Sequence, residues 1–295
     1  MITHRFKGAG VALVTPFNED KSIDFGTLEN MVEDQISGGM DYLVALGTTA
    51  ETPTLSPDEQ KDVVKCVILK NNGRLPVVVG MGGNDPAKIV KTMQNFDFTG
   101  VDGILSVTPY YNKPTQEGLF RFYQEIINAS PVPVILYNVP SRTGTHLEYP
   151  TALRIACSSE KVAGVKEASG DLAHCSFMAA NAPGWFKVIS GDDMLALPII
   201  AVGGIGVISV IANALPGKLS QLVHLANEHR MTEAQQVHYQ LLDLFRLIFR
   251  EGNPGGVKAL MEIMGKAKNT VRLPLWPVGI ETYKMIEEAF RKIEN

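Results

Sequence analysis

Cysteine is scarce. The chain of 295 residues has three, Cys66, Cys157 and Cys175, with no CxxC pair and one thiol left over from any pairing. That pattern excludes a disulfide framework or thiolate zinc site and predicts three buried thiols. The six histidines (4, 146, 174, 224, 229 and 238) include no HExxH or HxH spacing, and His224 and His229 lie five apart, off a shared helix face. No metal is expected. Positive charge is not in excess either: Lys and Arg number 27 against 31 Asp and Glu, a formal net charge of −4. A nucleic-acid partner, which calls for a basic face, is not expected. No apolar run approaches the roughly 18 residues of a membrane span. The opening MITHRFKGAGVALVTPF lacks the apolar core and small-residue cleavage site of a secretory signal. A cytoplasmic protein without membrane contact is predicted. No GxGxxG turn follows the first apolar run, and GMGGND (80–85) has the wrong spacing for one.

What the chain does contain is a 45% share of hydrophobic residues and a regular alternation. Short β-branched runs recur at 10–16, 41–47, 76–81, 102–109, 133–139, 162–168, 186–192 and 204–210. Most are continuously apolar, as parallel strands covered on both faces should be. Helical periodicity fills the intervals: 25–37, a Ser56-Pro57-Asp58-Glu59 capping box opening a helix with Val63, Val64, Val67 and Ile68 inward, then 86–98, 116–128, 148–158 and 172–181. Eight strand-helix units predict an α/β fold, a (β/α)8 TIM barrel, with an open doubly wound sheet as the alternative. A barrel needs about 220–250 residues. We therefore expect a catalytic barrel over 1–225 and a helical C-terminal appendage over 226–295, including the long amphipathic helix that Thr232-Glu233 opens.

In such a barrel the site lies at the C-terminal ends of the strands. The polar residues there are Thr15, Gly47-Thr48-Thr49, Thr108-Pro109-Tyr110-Tyr111, Tyr137-Asn138, Lys166-Glu167, Gly191-Asp192-Asp193 and Ser209. Each has an ordinary structural use, since threonine favours strands, tyrosine packs with a wet tip and aspartate caps helices. Lys166, inside the apolar run VAGVKEA, is the exception that calls for an explanation. It could mark a strand end with its charge in water. Alternatively it points to the barrel axis while Glu167 faces the helices, or the reverse, because successive strand residues point to opposite faces. Desolvation disfavours an ammonium relative to a free amine, and a free amine attacks carbonyl carbon to give a Schiff base. Tyr137 is placed to shuttle the proton which that chemistry moves.

The stretches VTPF (14–17), GTTAET (47–52), TPYYNKP (108–114), YNVPSRTG (137–144), GVKEASGD (164–171), SGDD (190–193) and GVISV (206–210) together resemble the dihydrodipicolinate synthase family. These are lysine-dependent (β/α)8 aldolases, a group that also includes N-acetylneuraminate lyase. The resemblance runs over essentially the whole chain. It implies a Schiff base between Lys166 and pyruvate and a proton relay of Tyr137, Thr48 and Tyr111, with Tyr111 reaching a neighbouring subunit. It further implies that Thr48 and Thr49 hold the pyruvate carboxylate and that Gly191 and Ile208 line the pocket through backbone atoms. Arg142 would meet the carboxylate of L-aspartate 4-semialdehyde, as a guanidinium fork suits a carboxylate. That favours synthase chemistry over the alternatives, N-acetylneuraminate lyase or a keto-deoxy sugar-acid aldolase. No cofactor is implied, and a homo-oligomer, a tetramer built as a dimer of dimers, is.

Two departures stand out. The glycine usual after the paired threonines is Ala50, which would be strained if that position needs positive φ. At the positions of the family's lysine effector site, Asn84 and Tyr110 are kept, but Lys88 stands where an acidic residue is usual, Thr52 replaces a serine, and Pro57 and Gln60 stand where some members have histidines. A cation at Lys88 would repel the ammonium groups of L-lysine, so weak or absent inhibition is expected. Two other readings remain from the residues alone: a phosphate-binding barrel using Gly203-Gly204-Ile205-Gly206, and a barrel kept for binding without turnover.

Overall fold

The computed structural model describes residues 5–294, so His4 of the histidines above lies outside the described residues. The strands are β1 Gly8–Ala12, β2 Tyr42–Ala45, β3 Val77–Gly80, β4 Gly103–Val107, β5 Val134–Asn138, β6 Val162–Glu167, β7 Lys187–Ser190 and β8 Gly206–Ser209. They close into a barrel in sequence order. The pairs β1–β2 and β3 through β8 are parallel, which is the (β/α)8 arrangement expected. Six of the eight apolar runs begin one or two residues before their strands, and at two of them, Pro76 and Pro133, the first residue lacks the N–H that a ladder needs. In β1, β2, β5, β6 and β8 every residue is buried, as burial on both faces requires.

Helices Phe25–Ser37 and Leu172–Asn181 coincide with their predicted spans. The capping box forms, with the Ser56 N–H donating to Glu59 Oε2 (2.8 Å) and the Glu59 N–H to Ser56 Oγ (3.2 Å). The helix expected over 86–98 stops at Gln94, since the Asn95 side-chain amide turns back to donate to Lys91 O (2.7 Å) and ends the ladder. Helices Pro140–Thr143 and Ala196–Ala201 were not anticipated, being too short to show a period. The boundary expected between 225 and 226 falls inside the helix Pro216–Asn227. Cys175 is buried and Cys66 half-buried, but Cys157 is exposed. The expectation of three buried thiols fails there because Cys157 sits on the outward side of the last turn of Tyr149–Ser158. No described helix is long and apolar enough to cross a membrane.

Two compact units make up the chain: Pro76–Ile208 with the segment leading to Lys7, and Gly8–Leu75 with the chain from Ser209 on. In the second unit, helices Met231–Leu247, Gly255–Ile263 and Ile280–Glu294 share one body with β1 and β2. Arg272 ties the tail to the loops after those strands. Its guanidinium forks onto Glu59 (2.6 and 2.9 Å), donates to Lys21 O and Thr54 O, and lies over the Phe17 ring, 4.5 Å from the centroid. Lys258 is fully buried; its ammonium donates to Glu51 Oε1 (2.6 Å) and Thr270 O (2.8 Å) and sits 4.3 Å from the Phe17 ring centroid. Burial pushes the Lys258 ammonium down to about 8, with Glu51 opposing that shift.

Two outcomes follow from these ties. The Arg272 fork, with help from the Ser56 N–H, holds the Glu59 carboxyl down at about 2, below its usual 4.5. A depressed carboxyl contributes stability that is complete above pH 4.5 and lost as pH falls from there through 2. The stability gap between the native protein and Glu59→Gln, read by chemical denaturation, should therefore be widest near neutrality and close over that acid window; a gap independent of pH would show that the fork contributes nothing. Lys258→Met should lower unfolding free energy by about 3–5 kcal/mol, because it strands the Glu51 carboxylate without its cation. Urea melts of Lys258→Met and of the Glu51→Gln/Lys258→Met double variant, which should recover part of the loss, check this.

Candidate active site

β6 ends on two charged residues whose side chains go to opposite faces. Glu167 is 2% exposed and meets the helical layer: its carboxylate accepts from Asn138 Nδ2 (2.9 and 3.1 Å) and from the Ser169 N–H (2.8 Å), and His174 Nε2, on the helix Leu172–Asn181, lies 3.3 Å away. Lys166 therefore points the other way, toward the barrel axis, as expected. It is 4% exposed, and its Nζ stands 4.6 Å from the centroid of the Tyr137 ring, a cation–π distance. Among the described residues no carboxylate pairs with it.

Tyr137 comes from β5, where it is the register partner of Lys166. Gly191 follows β7, and its N–H donates to Glu167 O (2.7 Å). A Cβ at Gly191 would stand 2.7 Å from Ala168 Cβ and 3.1 Å from Lys166 Cε, so only glycine leaves the lysine stem its path. The structure thus brings Lys166, Tyr137 and Gly191 together. Ile208 is fully buried in β8.

Other expected residues follow strand ends in the same unit. After β4, Thr108 is buried and its hydroxyl donates to Thr143 Oγ1 (3.3 Å). The Tyr110 N–H donates to Asn84 Oδ1 (2.9 Å). Tyr111 is 91% exposed with φ 70°, a left-handed backbone that is rare for an aromatic residue. Arg142 lies exposed in the helix Pro140–Thr143, and its guanidinium makes no ion pair among the described residues. Lys88 is exposed in the first turn of Pro86–Gln94.

In the second unit, Thr48–Ala50 form one 3₁₀ turn after β2. Ala50 is not left-handed, so its methyl group carries no backbone strain; the left-handed positions beside it are Leu46 (φ 55°) and Glu51 (φ 57°). The concern raised by the missing glycine is removed. Thr49 is 2% exposed and its Oγ1 accepts from Asn253 Nδ2 (2.9 Å), while Thr15 Oγ1 donates to Ala50 O (2.7 Å) and Thr52 Oγ1 to Gly47 O (2.9 Å). Asn253, Glu51 and Lys258, which brace this turn, were missed. Of these only Lys258 stands out locally, as a charge inside the apolar helix Gly255–Ile263, and their partners lie about 200 positions away.

A shielded primary amine beside a phenol, with no acidic partner, is suited to condense with a carbonyl compound. Among the described residues no group of three His, Cys, Asp or Glu side chains is placed to hold a metal ion.

The sequence profile of the dihydrodipicolinate synthetase family matches residues 5–293. The 4-hydroxy-tetrahydrodipicolinate synthase of Parabacteroides distasonis is 46% identical over 287 residues, 97% of each chain. The crystal structure of dihydrodipicolinate synthase from Thermotoga maritima superposes with TM-score 0.96 at 36% identity, covering 99% of each chain. A structure described as the first monomeric dihydrodipicolinate synthase variant gives TM-score 0.96 at 36% identity, covering 99% of this chain and 98% of its own. With the fold and the profile agreeing over its length, the chain belongs to the dihydrodipicolinate synthetase family.

Proposed function

We propose that the protein condenses pyruvate with L-aspartate 4-semialdehyde, the 4-hydroxy-tetrahydrodipicolinate synthase reaction, through an imine on Lys166. The observation that carries this reading is the buried, acid-free amine of Lys166 held 4.6 Å from the Tyr137 ring centroid at the end of a barrel strand. The amine attacks the pyruvate carbonyl carbon, water leaves, and the protonated imine becomes the electron sink that lets the methyl group lose a proton. The resulting enamine attacks the aldehyde carbon. The substrate's own amine then displaces Lys166, closing the ring and freeing the enzyme. No cofactor is needed.

Tyr137, Thr48 and Tyr111 carry protons in this reading, and Thr48 and Thr49 hold the pyruvate carboxylate. Gly191 and Ile208 offer backbone atoms to the pocket. The exposed, left-handed Tyr111 supports its assignment to a neighbouring subunit's site, hence a homo-oligomer, in the tetrameric dimer-of-dimers form that the resemblance implies. The free guanidinium of Arg142 supports a second substrate with a carboxylate, and so the synthase over a sugar-acid lyase. A cytoplasmic location suits a soluble substrate pair of this kind.

Borohydride added with pyruvate should leave one reduced adduct, mapped by mass spectrometry to Lys166 and absent from Lys166→Ala; folded protein without an adduct would remove the mechanism. Arg142→Ala should keep that adduct while raising KM for aspartate semialdehyde by about 10- to 100-fold, the loss of a charge-assisted fork. Thr52, Asn84, Lys88 and Tyr110 would form at most a remnant of an effector site. L-lysine should therefore inhibit weakly or not at all in a rate titration, and Lys88→Glu should make inhibition stronger.

A further inference from the structure

β5 and β6 do not pair in simple step. Val134 pairs with Val162 but Ile135 with Gly164, so the register shifts by one residue before Tyr137 meets Lys166 and Asn138 meets Glu167. Because strand side chains alternate faces, a one-residue difference in register decides whether an amine points to the barrel axis or to the helices. Something beyond the bulge must select the register in which Lys166 faces inward.

The polar couple on the opposite face does this. Asn138 is fully buried, and its amide nitrogen donates to both oxygens of Glu167 (2.9 and 3.1 Å) while its oxygen accepts from the Leu147 N–H (3.0 Å). The Ser169 N–H adds a third bond to Glu167, at 2.8 Å. Glu167 is a buried carboxylate with no lysine or arginine partner among the described residues, so its stability depends on these donors being where they are. Displaced by one residue against β5, β6 would take Glu167 away from Asn138, while the Ser169 N–H, two residues on in the same chain, would travel with it.

We infer that Glu167 is a positioning residue: paired with Asn138, it locks the β5–β6 register behind the active site and so holds Lys166 against Tyr137. The inference rests on the reading of Lys166 as the imine-forming amine. Glu167→Gln replaces an acceptor-only group by one whose amide must face donors, and Asn138→Asp sets two carboxylates against each other. The swapped double variant, Glu167→Gln with Asn138→Asp, restores one donor and one acceptor across the pair: Gln at 167 donates to Asp at 138 and still accepts from the Ser169 N–H. His146, whose Nδ1 is 3.2 Å from Asn138 Nδ2, can donate there in its other tautomer.

The experiment is single-turnover imine formation with pyruvate, quenched by borohydride and read by mass spectrometry, beside kcat, KM and the thermal midpoint of each variant. Glu167→Gln should slow trapping by about a hundredfold, the effect of misplacing a reacting group by about 1 Å, with KM for the semialdehyde little changed. The swapped variant should regain most of that rate. Trapping by Glu167→Gln at the native rate, or a loss that matches its unfolded fraction and is not recovered by the swap, overturns the inference. If Glu167→Gln does not fold, a folded swapped variant decides: near-native trapping supports the lock and a hundredfold loss refutes it. Native protein that is not trapped at Lys166 removes the imine reading and this inference with it, whereas native trapping beside an unaffected Glu167→Gln removes the inference alone.

Discussion

The site depends on the pleat of one strand. Two residues of opposite charge, Lys166 and Glu167, end β6 side by side, and the alternation of side chains keeps them from neutralising each other. Each must then be accommodated on its own face, where an isolated charge is costly. The helix side answers with hydrogen-bond donors from β5 and from the turn after β6, with the His174 ring of the helix Leu172–Asn181 3.3 Å away. The barrel side answers with the Tyr137 ring face and, among the described residues, no carboxylate. The asymmetry leaves the amine shielded from water and without an anion.

Lys258 shows what a buried lysine looks like when its role is structural. It is fully enclosed, with a carboxylate at 2.6 Å, a carbonyl at 2.8 Å and a ring face at 4.3 Å. Such an ammonium has every donor used and no route to a ligand. Lys166 shares its burial and its aromatic contact but has no carboxylate, so burial alone does not separate the two. The absence of an acidic partner among the described residues does, and it is on that difference that the proposed imine chemistry of Lys166 rests.

The fold was legible because its signal repeats: eight apolar runs at even spacing predict a parallel barrel whatever the errors at individual ends. Lys166, Tyr137 and Gly191 were legible as a group for the same reason, each being the polar or small residue that ends an apolar run. The strand ends themselves were less so, since prolines and left-handed residues stop the ladder inside runs that remain apolar. What the sequence hid was support from a distance. Asn253 reaches Thr49 and Lys258 reaches Glu51 across about 200 residues, and neither pairing is marked by any local pattern. Glu167 could be read only as facing away from Lys166, and its partners could not be named before the register of β5 against β6 was known.

Backbone strain sits at the same strand ends and separates two kinds of support. A non-glycine residue in the left-handed region costs about 1–3 kcal/mol and persists where its surroundings fix it. Glu51, at φ 57°, is fixed within the chain: both carboxylate oxygens are bonded, one to Lys258 and one to the Arg272 N–H. Tyr111, at φ 70°, is 91% exposed, and its side chain has no hydrogen-bond partner among the described residues. A strained aromatic displayed to solvent gains nothing from its own subunit. A phenol that a second copy buried and used would gain both the burial of its ring and a partner for its hydroxyl, and that gain is the physical ground for the role proposed for Tyr111.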